Sequence, residues 1–212
     1  MIAGRTGLWI LLVAALAGCG RASSTREATG QHAPDLAGME RLCGNPSLQG
    51  VKLPRITESN SRCGIRNPVQ VFYVSGVEMN PAPVLNCDTA NALATWVNGA
   101  VIPEVAAIGE RLTRLRVGSH YACRTRNSVP GAKLSEHATG NAIDITAFTL
   151  ESGKVYTILE GWSSRAFGAV MRKIYRKACG TFGTTLGPNA DAAHQDNLHF
   201  DVASYRSGAY CR

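Results

Sequence analysis

The chain predicts an α+β fold: an antiparallel sheet flanked by helices and held by three disulfides. Three observations carry this. Strand-like runs rich in β-branched and aromatic residues fall in groups, at 69–75, 116–121, 141–159 and 198–203. Helix-period segments fall between them, at 88–115 and 163–175, so the two kinds do not alternate as a parallel α/β chain would require. Finally, Cys43, Cys63, Cys87, Cys123, Cys179 and Cys211 form an even set, as expected where disulfides persist. Six cysteines allow 15 connectivities, and sequence does not choose among them.

From the N-terminus, residues 1–18 are expected to be a signal peptide. Arg5 supplies the positive charge, and Leu8 to Ala17 is an apolar run of ten residues, too short to span a bilayer. Leu16-Ala17-Gly18-Cys19 resembles a bacterial lipoprotein box, which implies acylation of Cys19 and anchoring through that lipid. Gly20 in the next position favours the outer membrane by the same resemblance, with the domain facing the periplasm. No other run approaches the ~20 apolar residues of a transmembrane helix. Residues 19–41 are small, polar and without aromatics, and read as a flexible tether. Residues 42–212 form one domain, long enough to bury a full core. The net charge of +7, less Arg5, is +6. Export argues against nucleic acid, so the acidic partner expected is an anionic envelope polymer such as peptidoglycan. A monomer is expected.

Residues 69–75 read as a strand. Asp88 is a plausible helix N-cap, followed by Ala90, Leu93, Ala94, Val97 and Val101 at helical spacing. Pro103 breaks or restarts that helix, and a second helix is expected to turn Val105, Ile108, Leu112 and Leu115 inward. Residues 116–121 read as a strand leading into a loop. Residues 141–150 and 154–159 read as a hairpin around Glu151-Ser152-Gly153. Ser163 or Ser164 caps a third helix carrying Phe167, Val170, Met171, Ile174 and Tyr175, and 198–203 is a final strand.

The chemistry lies in SEHATGNAID, residues 135–144, and HQDNLH, residues 194–199. They supply His137, Asp144 and His199, two imidazoles and one carboxylate. Such a set leaves a fourth tetrahedral position open, which suits a catalytic Zn²⁺, one per chain, better than a closed structural site. Other divalent ions also fit two histidines and a carboxylate. Ala142, Asp144 and Thr146 share one strand face, as do Asn197, His199 and Asp201. If the two strands are neighbours, Asp144 and His199 converge, with His137 reaching in from a loop. Gly140 and Ala142 are expected to keep the approach open.

The spaced residues Ser135, His137, Gly140, Ala142 and Asp144 resemble the motif of the zinc D-Ala-D-Ala peptidases and murein endopeptidases, the fold group of lysostaphin-type enzymes and the hedgehog signalling domain. More closely, the span from about Cys43 to Arg212 resembles the bacterial extensin-like C-terminal domain. The six cysteines, Tyr121-Ala-Cys-Arg124, the 135–144 motif and 194–201 agree with it in order. The resemblance implies a zinc-peptidase-like site, with His199 as third ligand. Murein endopeptidases often carry a general-base histidine two residues before it. Here that position is Asn197, and an amide cannot take a proton. His194 is the favoured base, because imidazole titrates near neutrality, and Asp196 is the other choice. Arg124, or alternatively Arg126, occupies the place of an arginine that grips a substrate carboxylate or an oxyanion. Ser135, Asp196, Asn197 and Asp201 are expected to orient the ligands. Glu136 could act as an acid or base, and His120 reads as a strand residue. The implied function is a periplasmic lipoprotein, a zinc metallopeptidase hydrolysing peptidoglycan stem peptides or cross-links that contain D-amino acids. The alternative is a non-catalytic peptidoglycan-binding or regulatory lipoprotein with a degenerate metallopeptidase site. A third reading has the metal and disulfides only stabilising the domain.

Overall fold

The computed structural model describes Met1 and residues 38–212. The signal segment, the Cys19 lipidation site and nearly all of the 19–41 tether lie outside the described residues. In chain order the elements begin with β1 (Glu40–Arg41), β2 (Leu48–Lys52), β3 (Ile56–Thr57), β4 (Gly64–Ile65), β5 (Val69–Val74), β6 (Val77–Asn80) and β7 (Val84–Leu85). Next come α1 (Cys87–Trp96), a π-helical turn (Val97–Val101), α2 (Ile102–Ala106) and β8 (Leu112–Ser119). The second half adds β9 (Ala142–Leu150), β10 (Val155–Thr157), α3 (Ile158–Gly161), α4 (Gly168–Arg176), β11 (Thr184–Leu186), β12 (Leu198–Asp201) and β13 (Tyr210–Cys211).

Among the described residues, eleven strands form one sheet in the order β1-β2-β5-β6-β8-β9-β12-β11-β13, with β10 added to β9 and β7 to β5. The sheet is not wholly antiparallel as the sequence suggested: β6 runs parallel to β8, and β11 to β13. The helical segment between β6 and β8 supplies the crossover that a parallel pair needs. Among the described residues no helix is long and apolar enough to cross a membrane.

The first helix begins earlier than Asp88. Asn86 is the cap, its Oδ1 accepting from the Thr89 N–H at 2.9 Å, and Asp88 sits in the first turn where a carboxylate opposes the helix dipole. Pro103 does not break the chain's helical course. It stands at the second residue of α2, directly behind the π-helical turn, where the α-helical course restarts. The expected second helix ends at Ala106, because Gly109 adopts φ +73° and turns the chain. Leu112 and Leu115 therefore belong to β8. Their three-residue spacing imitates a helix because the β8–β9 register slips between Leu112 and Arg114.

A second slip positions the site. Arg116 faces Ala147 but Val117 faces Ile145, so Thr146 is an extra residue on β9. Phe148 and Leu150 point into the core on one side of this bulge, and Ile143 and Ile145 do so on the other. Asp144 is thereby left facing away from the main core. That core holds Trp96, Phe148, Phe167, Phe182 and Phe200, all 1% exposed or less. The Trp96 indole N–H donates to the Ile174 carbonyl at 3.1 Å, joining α1 to α4. Ser164 accepts from the Phe167 N–H just ahead of α4. The 151–153 turn joins β9 to β10 as expected, although β10 stops at Thr157, which caps α3.

The three disulfides join Cys43 to Cys87, Cys63 to Cys123 and Cys179 to Cys211, across separations of 44, 60 and 32 residues. Loops of that size lose about 4 kcal/mol of unfolded-state entropy per cross-link in the chain-entropy model. The second ties the β3–β4 hairpin to the loop that carries Arg124. The third ties β13 to the segment that follows α4.

Candidate metal centre

His137 is presented by a three-ten turn, Glu136–Thr139, which opens at Ser135 and closes at Gly140. Gly140 holds φ +70°, and a Cβ there would lie 2.4 Å from Ile65 Cδ1 and 3.0 Å from the Asn86 nitrogen. Its requirement is thus the turn and a close approach to the neighbouring layer, not an open floor: neither Gly140 nor Ala142 lines the pocket described below. Ser135 acts through its backbone. Its N–H donates to the Arg124 carbonyl at 3.0 Å, and its carbonyl accepts from Ala138. The Ala122 N–H donates to the His137 carbonyl at 3.2 Å. The 121–124 segment is therefore stitched to the turn that carries His137.

Asp144 and His199 are direct cross-strand partners on β9 and β12. His137 Nε2 lies 3.2 Å from Asp144 Oδ2 and 3.3 Å from His199 Nδ1, while His199 Nδ1 lies 2.8 Å from Asp144 Oδ1. All three residues are at most 9% exposed. The backs of the two rings settle which nitrogen faces the others. His137 Nδ1 lies 2.7 Å from the His120 carbonyl, which only accepts, so Nδ1 carries the hydrogen. His199 Nε2 lies 3.1 Å from the Asp201 carboxylate and likewise donates. In the neutral tautomers, His137 Nε2, His199 Nδ1 and a carboxylate oxygen then turn lone pairs toward one another. Such a triangle needs a proton or a cation at its centre. Donors held tetrahedrally at zinc distances of 2.0–2.1 Å stand about 3.3 Å apart, close to two of the three edges here. An acceptor behind each imidazole is the usual outer support of a metal-ligating histidine. The donor set fits a divalent ion.

Without an ion a proton takes that role. Burial disfavours the His199 cation, but the Asp144 and Asp201 carboxylates outweigh it and push its pKa up to about 9. Burial likewise opposes the Asp144 anion, yet the two imidazoles hold its carboxyl below the usual carboxylate range. His120 itself is not a ligand. Its Nδ1 accepts from the Val84 N–H at 3.3 Å, and burial, then His137, lowers its pKa.

The triangle forms part of the lining of a pocket of about 270 Å³. His194 reaches it from a three-ten turn, Ala192–His194, capped by Asp191. Asp191 Oδ1 accepts from His194 Nδ1 at 2.7 Å and from the Ala193 N–H at 2.8 Å. This leaves His194 Nε2 as the ring's free nitrogen, and the His194 and His199 ring centres are 5.6 Å apart. Burial alone would raise the Asp191 pKa, but the bonds from His194 and Ala193 hold it low. Asn197 lines the pocket and staples this loop, donating to the Ala193 carbonyl and to Asp196. Asp196 is exposed and does not line the pocket.

Arg124 and Arg126 line the same pocket. Arg126 lies 3.7 Å from Glu136, whose carboxylate also accepts from Asn141. Among the described residues Arg124 pairs with no carboxylate. Asp191 was legible only as a D-x-x-H spacing beside His194. The His120 carbonyl had no sequence signal, since every residue carries one. Tyr205 and Tyr210 also line the pocket and were not singled out.

The model of the family described as extensin-like protein C-terminus matches residues 42–212. No curated protein and no solved structure matches the chain.

Proposed function

The chain belongs to the extensin-like C-terminal family, and from the site it carries we propose that it is a zinc-dependent hydrolase acting on D-amino-acid-containing stem peptides or cross-links of peptidoglycan. The observation that carries this reading is the lone-pair triangle of His137, Asp144 and His199, with both rings backed by acceptors and a second, carboxylate-oriented histidine in the same pocket. The spaced motif 135–144 and the paired strands β9 and β12 support kinship with the zinc D-Ala-D-Ala peptidase and hedgehog fold group. Anchoring through a lipid on Cys19, on the periplasmic side of the outer membrane and as a monomer, completes the proposal.

His137, Asp144 and His199 would hold the Zn²⁺ ion, which would supply Lewis acidity and an acidified water at this site. His194 Nε2 takes a proton and returns it to the leaving amine, while Asp191 keeps Nδ1 protonated and the ring aimed. Arg124 holds a substrate carboxylate or the developing anion, since no protein carboxylate among the described residues competes for it. Asn197 shapes the loop and plays no part in proton transfer.

The test is the metal content of residues 40–212, purified from an oxidising compartment without added metal, followed by digestion of purified muropeptides. About one zinc per chain, lost together with hydrolysis in His137→Ala, is the expected result. No metal uptake even when zinc is offered, or unchanged cleavage by His137→Ala, overturns it. A pocket lined by two arginines also suits the wall-binding reading, which muropeptide binding without new products would select.

A further inference from the structure

Of the described aromatic side chains, only Tyr205 and Tyr210 are more than about a third exposed, at 40% and 46%. Both line the pocket that holds the donor triangle. Large aromatics left in water at a pocket mouth are a recurrent mark of a binding surface. These two are also held in place. The Tyr205 hydroxyl bonds Thr184 Oγ1 at 3.1 Å, and Thr184 stands directly opposite Tyr210 in the parallel β11–β13 pair. The neighbouring Cys211 is bridged to Cys179. The guanidinium of Arg212 lies 5.4 Å from the Tyr210 ring centre. The result is a fixed wall of two phenol rings with hydroxyls between them.

Its distance from the triangle follows from the sheet. Thr184 is opposite Asp201 on one side and Tyr210 on the other, so two strand spacings, about 10 Å, separate β12 from β13. That is about the reach of three extended residues. Arg124 and Arg126 also line the pocket, on the loop that follows β8, and β8 and β13 lie on different sides of the β9–β12 pair in the sheet. The wall thus offers ring faces and neutral hydroxyls, with the Arg212 guanidinium over one of the rings.

We infer that Tyr205, Thr184 and Tyr210 form a saccharide subsite, which stacks the apolar face of a pyranose and bonds its hydroxyls while the attached peptide runs toward His137 and His199. The inference deepens the proposed function and rests on it for the peptide half: the substrate is a glycopeptide, recognised with its sugar attached, in preference to a free peptide. Sugar binding itself does not require the metal.

The probe is the peptide-free N-acetylglucosamine–N-acetylmuramic acid disaccharide, titrated calorimetrically into the full-length protein in detergent. The expected result is saturable binding, weakened about 5- to 10-fold in Tyr205→Ala and in Tyr210→Ala. Tyr210→Phe, which keeps the ring and loses only the hydroxyl, is expected to weaken binding by less than Tyr210→Ala does. The native protein treated with a chelator is expected to bind the disaccharide as the untreated protein does. Should the hydrolase reading fail, that titration still reports on the wall. Absence of disaccharide binding, or binding unmoved by both alanine variants in proteins with a native melting temperature, overturns the inference.

Discussion

Asp201 offers the sharpest test of the metal centre, because it touches no ion yet decides which nitrogen of His199 is free. The residue is 4% exposed. One oxygen accepts from His199 Nε2 at 3.1 Å and the other from the Ala203 N–H at 2.9 Å. In Asp201→Ala the Nε2 hydrogen loses its buried acceptor, and the tautomer with hydrogen on Nδ1, facing Asp144, gains population. That tautomer blocks the ligand atom. Losing such an outer partner typically costs 10–100-fold in metal affinity, about 1.4–2.7 kcal/mol. The cost of an unpaired buried donor, about 1–3 kcal/mol, agrees. Asp201→Asn keeps an oxygen that can accept from Nε2, so its loss should be smaller. Zinc affinity is read by competition with a chromophoric chelator at neutral pH. Thermal melts alongside separate the local effect from loss of the Ala203 bond. Equal affinity of Asp201→Ala and the native chain, or a larger loss in Asp201→Asn than in Asp201→Ala, would refute the tautomer argument.

Further expectations follow from the same geometry. His194→Ala should lower kcat for muropeptide cleavage by about 10²–10⁴-fold with zinc content unchanged, and Asp191→Asn should move it the same way by less; loss of zinc in either variant would place His194 among the ligands instead. Gly140→Ala forces a side chain into φ +70° and against Ile65 and the Asn86 backbone, so chemical denaturation should show a loss of about 2–4 kcal/mol; a change under about 0.5 kcal/mol would mean that the turn relaxes freely. The pH dependence of the metal-free domain has a definite sign. The His199 pKa rises from 6.5 to about 9 on folding, so its contribution is whole below 6.5 and is lost as pH climbs through about 9. The Asp144 value falls below 3.8, so that contribution is whole above 3.8 and is lost on acidification. Calorimetric melting temperatures should therefore drop between pH 6.5 and about 9 without metal, and less so with zinc; a flat profile would show that no charged imidazole is held there.

Much of the site was legible because its signals are local. S-x-H-x-x-G describes one turn: Ser135 opens it, His137 stands on it, and Gly140 takes the left-handed backbone that ends it. Period-two patterning placed Asp144 and His199 on strands and on definite faces, and the even cysteine set anticipated three bridges. Where a local signal was imitated, the reading failed. Leu112 and Leu115 mimic a helix only because β8 slips against β9. What the tertiary structure alone decided are relations across long stretches of chain. Asp144 meets His199 because β9 pairs with β12 across 55 residues. The Thr146 bulge decides which residues of β9 point into the core. The His120 carbonyl selects the His137 tautomer, and the β11–β13 pair carries Tyr210 into the pocket lining. Side-chain type and spacing specify a residue's own turn or strand face. Register, pairing partner and backbone acceptors are set by the packing of the whole sheet, so they appear only when distant segments meet.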